Sequence, residues 1–244
     1  MISAKHSTVF VHIPKTAGQS VELAFLNDLN LTWKKRDALL LRHNDNRHKG
    51  PPRLAHLVAS DYVSLEHISA QDWERFYSFA VVRQPFTRTV SLYRHLGPEM
   101  SFHDWVMGFL SKNLAGADGL PIRWFVQPQA DYLCDAGGRV LVKDVLRFEK
   151  LASEFTRAAT ASGLKDHMLP RRNTTDGKPQ PDIEGRATVP TRLLRSLRRR
   201  LGVTRFQNFS NWRDLFDAQT VARVRDLYAR DFEIFDYDRA DPRT

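Results

Sequence analysis

A single cysteine, Cys134, is all the thiol chemistry this sequence offers. An internal disulfide is excluded, and there is no cysteine cluster to hold zinc. A reducing, cytoplasmic setting is the natural expectation. No apolar run approaches the ~20 residues of a membrane span. Residues Met1 to His6 lead straight into a strand pattern, so no signal peptide or anchor is expected. Internal repeats are missing. So are an acidic pair suited to Mg²⁺ and the glycine-rich run that cradles a nucleoside triphosphate, G-x-x-x-x-G-K-[ST]. No metal is expected.

Acidic residues are also in deficit, 28 against 37 Lys and Arg, for a net charge of +9. Such a balance favours anionic partners. The excess is local, because Lys165 to Arg213 holds 12 Lys/Arg against 4 Asp/Glu. Hydrophobic residues make up 42% of the 244 residues, enough for one substantial core. We expect a single domain over 1–244, with a basic loop and helix inserted at about 170–207.

Strand and helix signals alternate. Residues 7–13 (STVFVHI) read as a β-strand and 19–30 as a helix, with Val21, Ala24, Phe25 and Leu29 at helical spacing. Residues 31–53 read as a helix fragment and a loop. A second strand, 77–82 (YSFAVV), turns at Arg83-Gln84-Pro85 into a helix reaching His95. Ser101-x-x-Asp104 resembles a capping box before another helix. Residues 140–142 and 145–148 suggest strands, and helix 149–162 stops before Gly163. Residues 170–190 read as loop, with helices near 191–201 and 217–230. This order predicts an α/β fold with a mainly parallel sheet.

Two places carry chemistry. In HIPKTAGQS (12–20) an apolar strand gives way to Pro14, Lys15, Thr16 and Gly18 just before a helix. A helix start offers unpaired N–H groups and the positive end of its dipole to an anion. Gly18 lets backbone approach a ligand closely. Lys15 adds a charge, and Thr16, Ser20 and Gln19 add neutral donors. In FAVVRQPFTRTVSLY (79–93), Arg83 ends a strand and Ser91 sits two turns into the next helix. A guanidinium fork and a hydroxyl so placed suit one phosphate. Each motif alone is equally compatible with a solvated lysine in a capped turn or a structural ion pair. Together, two anion sites at strand ends of one sheet suggest a nucleotide with phosphates at both ends.

These two motifs resemble the paired signatures of sulfotransferases that use 3′-phosphoadenosine 5′-phosphosulfate (PAPS). The likeness is greatest to the carbohydrate branch, sulfotransferase family 2, with its heparan 2-O- and chondroitin-type enzymes. RLAHLVASDY (53–62), VLRFEKLASEF (145–155) and residues 211–238 are similar to further segments of that family. Gln19 and Gln84 depart from it, as does a longer basic stretch at 186–205. The resemblance implies a P-loop-like three-layer α/β/α fold. It implies transfer of a sulfuryl group from PAPS to an acceptor hydroxyl, of a carbohydrate or glycolipid, without a metal. By that likeness Lys15, Thr16, Ala17, Gly18, Gln19 and Ser20 hold the 5′-phosphosulfate. Arg83 and Ser91 hold the 3′-phosphate, and Arg147 touches the nucleotide. Lys15 stabilises the bridging oxygen and His56 is the general base. His12 is the rival base, read here as orienting the cradle. Phe148 fits a place near the adenine or, the favoured reading, a core phenylalanine beneath a strand-end arginine.

In RLLRSLRRR (192–200), Arg192, Arg195 and Arg199 share one helical face and the leucines another. Peripheral membrane contact through 191–201, or a grip on an acidic glycan, would follow. So would a plain packed helix with solvated arginines. No nucleic-acid motif accompanies it, and no nucleic-acid partner is expected. Two other classes fit parts of the sequence. A kinase-like phosphotransferase would respond to ATP and not to PAPS. A membrane- or nucleic-acid-binding module would need 191–201 and be indifferent to Lys15.

Overall fold

The computed structural model describes residues 1–96, 100–115, 122–170 and 211–244. Four strands form one sheet in the order β1 (Ile2–Ser3), β2 (Thr8–Val11), β3 (Tyr77–Val82) and β4 (Asp144–Arg147). β2, β3 and β4 run parallel, with Val11 opposite Ala80 and Val82 opposite Arg147; only β1 is antiparallel.

β2 is buried along its whole length and β3 from Ser78 onward, as a parallel sheet covered on both faces requires. Alternate side chains go to opposite layers. Val9, Val11, Ala80 and Val82 meet Phe86 and Val90 of helix Pro85–Leu96 and Val224 and Phe232 near the C-terminus. Phe10, Phe79, Val81 and Leu146 meet Val21 and Phe25 of α1 (Gly18–Asp28) and Phe155 of helix Leu151–Ser162. Each fully buried aliphatic or aromatic side chain contributes about 1.5–3 kcal/mol. The result is the three-layer α/β/α arrangement that the resemblance implies, built on the mainly parallel sheet that the strand and helix alternation predicts.

Several expected boundaries tighten. The strand expected at 7–13 is β2, at 8–11, and β1 precedes it. Helix Leu151–Ser162 ends at Gly163, whose φ of 67° is the left-handed turn that glycine supplies cheaply. Ser101 accepts from the Asp104 amide, as the capping pattern requires. Residues 140–142 are not a strand: Val140 makes only an isolated bridge to Cys134, and the ladder to β3 begins at Asp144. The expected loop from 171 to 190 and the basic helix at 191–201 lie outside the described residues.

β1 is tied to α1 through side chains. His6 links the Ser3 hydroxyl (2.6 Å, Nδ1) to Asp28 (3.0 Å, Nε2). A Ser–His–Asp set invites a hydrolase reading. Ser3 is 1% exposed, and the His6 and Asp28 side chains are 4% and 5% exposed. A nucleophile sealed in that way is a strut.

Because β2, β3 and β4 are parallel, their C-terminal ends share one edge of the sheet. The loops that follow them, at 12–17, 83–84 and 148–150, are therefore neighbours, where α/β sheets place ligands.

Candidate active site

The loop between β2 and α1 holds unusual backbone. Lys15 and Ala17 have φ of 71° and 67°, while Thr16 between them does not. A left-handed non-glycine residue costs roughly 1–2 kcal/mol. Alternating handedness turns successive N–H groups toward one concavity, the geometry of an anion nest. No side chain caps α1, whose N-cap is Ala17. The amides of Thr16, Ala17 and Gly18 find no acceptor among the described residues. Strained backbone and idle donors in one loop suit a bound anion.

Two expectations about this loop need correction. The Thr16 hydroxyl is not a free donor: Thr16 is buried and its Oγ1 donates to Ile13 O at 2.9 Å, bracing the loop from within. Nor does the bare Cα of Gly18 leave room for a ligand. A Cβ there would lie 1.9 Å from His12 Cδ2, so the space belongs to the His12 imidazole. Gln19 lines the cleft described below, and Ser20 is buried.

Lys15 has its pKa pushed down to about 8, first by burial and then by the charge of Arg83. Arg83 is lowered to about 10, again chiefly by burial, with Glu149 opposing. The two loops meet here: Arg83 Nη1 donates to the backbone carbonyl of Lys15 at 3.2 Å. Arg83 is otherwise pinned by its Nε donating to Thr87 Oγ1 (3.1 Å) and by the Phe148 ring 4.1 Å beneath its guanidinium. Phe148 thus packs against the core and supports Arg83 from beneath, as the sequence suggested. Both cations are largely desolvated and the charge of Arg83 opposes that of Lys15, a cost that a bound anion would offset. Ser91 lies half-buried on helix Pro85–Leu96, and its hydroxyl makes no hydrogen bond among the described residues.

Arg147 is placed differently. Its guanidinium donates to Phe235 O (2.7 Å) and Asp236 O (3.3 Å) and lies over Tyr237. Those bonds tie the end of β4 to the C-terminal segment.

His56 stands beside the cradle. Its Nδ1 donates to the backbone carbonyl of His12 at 2.9 Å. A carbonyl only accepts, so the proton sits on Nδ1 and Nε2 of the neutral ring carries the lone pair. Burial, then repulsion from His12, hold its pKa well below 6.5. The ring is thus kept neutral and proton-accepting at pH 7. His12 lies 4.5 Å away between ring centres, and its Nδ1 is bound to buried Glu22 at 2.5 Å. That pair holds His12 against Gly18.

His56, His12 and Gln19 line a cleft whose rim carries Arg36, Arg42, His43 and Arg53. Arg53 is partly buried, and burial and Arg36 both lower its pKa. No carboxylate forms an ion pair with these three arginines among the described residues. This cationic rim escaped the sequence reading because Arg36, Arg42 and Arg53 are scattered through a polar stretch without periodicity.

No group of three or more His, Cys, Asp or Glu side chains suited to a metal occurs among the described residues. None of the described helices is long and apolar enough to cross a membrane. A family model described as the sulfotransferase family matches residues 1–238. No curated protein and no solved structure matches significantly.

Proposed function

The chain belongs to the sulfotransferase family, and from that premise we propose that it sulfates a hydroxyl of an acidic carbohydrate or glycolipid. The family level carries the reaction: a sulfuryl group moves from PAPS to an acceptor hydroxyl. The residue roles and the acceptor are our reading. The observation that supports it is the contact of Arg83 with the Lys15 carbonyl, which brings the loop after β3 against the loop after β2.

In this reading the amides of 16–18 and Lys15 hold the phosphosulfate, and Arg83 with Ser91 holds the 3′-phosphate. The acceptor oxygen forms a bond to sulfur as the bond from sulfur to the bridging phosphate oxygen breaks. The hydroxyl proton passes to His56 Nε2, and the electron pair of the broken bond stays with the phosphate, leaving 3′-phosphoadenosine 5′-phosphate (PAP). Lys15 meets the charge that grows on that oxygen. Preorganised donors aimed at developing charge are the main source of rate in such loose, in-line transfers. Arg147 braces the C-terminal segment near the nucleotide.

The acceptor class rests on the rim. Arg36, Arg42 and Arg53 line the cleft beside the base, and although Glu22 lines it too, none of the three is in an ion pair among the described residues; they suit a sugar that carries a carboxylate or an existing sulfate. Transfer of labelled sulfate from PAPS is the test. Uronate-containing glycans should be sulfated at least about tenfold faster, in kcat/KM, than neutral glycans of equal length, given the worth of one charge-assisted hydrogen bond. Equal rates on both would remove the acidic acceptor. A peripheral membrane role for 191–201 and a cytoplasmic location complete the proposal.

A further inference from the structure

Gln129 played no part in the sequence reading, yet its side chain is fully buried against the second anion loop. Its Oε1 accepts from Arg83 N at 2.8 Å, and its Nε2 donates to Arg83 O at 2.8 Å. That is the two-bond pattern a neighbouring strand would give. It falls on the residue just past Val82, where the β3–β4 register ends. The glutamine thus extends the sheet by one residue and holds the Arg83 backbone after the ladder has stopped.

Gln129 is itself fixed. Its backbone N–H donates to Asp231 Oδ2 (2.9 Å), and that of Ala130 donates to Asp231 Oδ1 (2.8 Å). Asp231 is 0% exposed. Two residues earlier, Gln127 O accepts from Arg88 Nη1 at 3.0 Å, while Arg88 Nε donates to Pro14 O at 3.2 Å. Arg88 is also buried, at 1% exposure. The segment 127–129 is therefore a common abutment. It reaches Arg83 directly, and through Arg88 it reaches the residue before Lys15.

We propose that Gln129 is a specificity-determining positioning residue. It sets the place of Arg83 relative to Lys15, and so the preference for a nucleotide phosphorylated at both ends of the adenosine. The inference rests on the two-ended reading given above. Buried backbone groups bonded to a rigid amide have one position; without it the Arg83 N–H and C=O must seek other partners and the guanidinium shifts with them. The phosphosulfate loop keeps its own brace from Thr16 and Arg88.

Calorimetry of PAP and 5′-AMP on the wild type and on Gln129→Leu and Gln129→Glu provides the test. In Gln129→Leu the PAP-to-AMP affinity ratio should fall at least about tenfold, the worth of one charge-assisted contact, with AMP binding nearly unchanged. Gln129→Glu keeps an acceptor for Arg83 N and loses the donor to Arg83 O, so its ratio should lie between. It also serves if the leucine variant fails to fold. A purely structural glutamine would lower the melting temperature and leave the ratio alone. A folded variant with the wild-type ratio therefore overturns the inference. A wild type that does not distinguish PAP from AMP overturns the two-ended grip as well.

Discussion

Replacing Lys15 by alanine is expected to lower kcat for sulfuryl transfer by about 10²–10³-fold, the usual cost of removing one preorganised donor from a transition-state site. The loss should exceed the loss in PAP affinity, because the charge it meets grows as the sulfur–oxygen bond breaks. Stability should move the other way. The lysine is buried beside Arg83, and its pKa lies near 8 in the folded protein against about 10.5 unfolded. Below pH 8 the folded state thus carries the full penalty of holding this cation, which weakens as pH rises toward the unfolded value. At pH 7 the alanine variant should melt at or above the wild-type temperature. A large drop in melting temperature would mark Lys15 as a structural residue.

The same shift gives a pH signature. An anion in the cradle favours the protonated amine, so wild-type affinity for PAP should decline as pH rises through about 8. The phosphates are already fully ionised there, their second pKa being about 6. Lys15→Arg, always charged, should flatten that decline while failing to restore kcat, since a guanidinium and an ammonium present different geometry.

His56→Ala should cost about 10²–10⁴-fold in kcat, the range for a positioned general base. The pH profile separates this from a packing defect. The pKa of His56 is held well below 6.5, and the base works only when unprotonated. Wild-type activity should therefore persist on the acid side of pH 6.5 and fall only as pH drops through that lowered value. His56→Ala should lose this acid limb. Because the alanine also strands the His12 carbonyl, His56→Gln is the companion variant, since its amide can still donate to that carbonyl. A variant that keeps the wild-type rate and acid limb would return the role of base to His12.

The strands, the loops after them and the first cations were legible because their signals are local. Residues 79–82 form a continuous apolar run, and Pro85 and Gly163 punctuate where their backbone preferences require. Lys15 and Arg83 stand out as charges at strand ends. What stayed hidden is long-range and polar. Gln129 meets Arg83 across 46 residues and Asp231 across 102, and no spacing rule connects them. Thr16 and Gly18 were found for one reason and are used for another, because neither an inward hydroxyl nor the reach of the His12 ring is written in the loop's own residues. Arg147 looked like another strand-end cation beside the site, yet it bonds to carbonyls of 235–236, nearly ninety residues on.

The most direct test is a calorimetric comparison of PAP with 3′-AMP and 5′-AMP on the wild-type protein at pH 7. Two loops gripping opposite ends of one adenosine should bind PAP at one site per chain, and tighter than either monophosphate by at least about tenfold, since each phosphate adds charge-assisted bonds. If either monophosphate binds as tightly as PAP, one of the two loops holds nothing and the account fails.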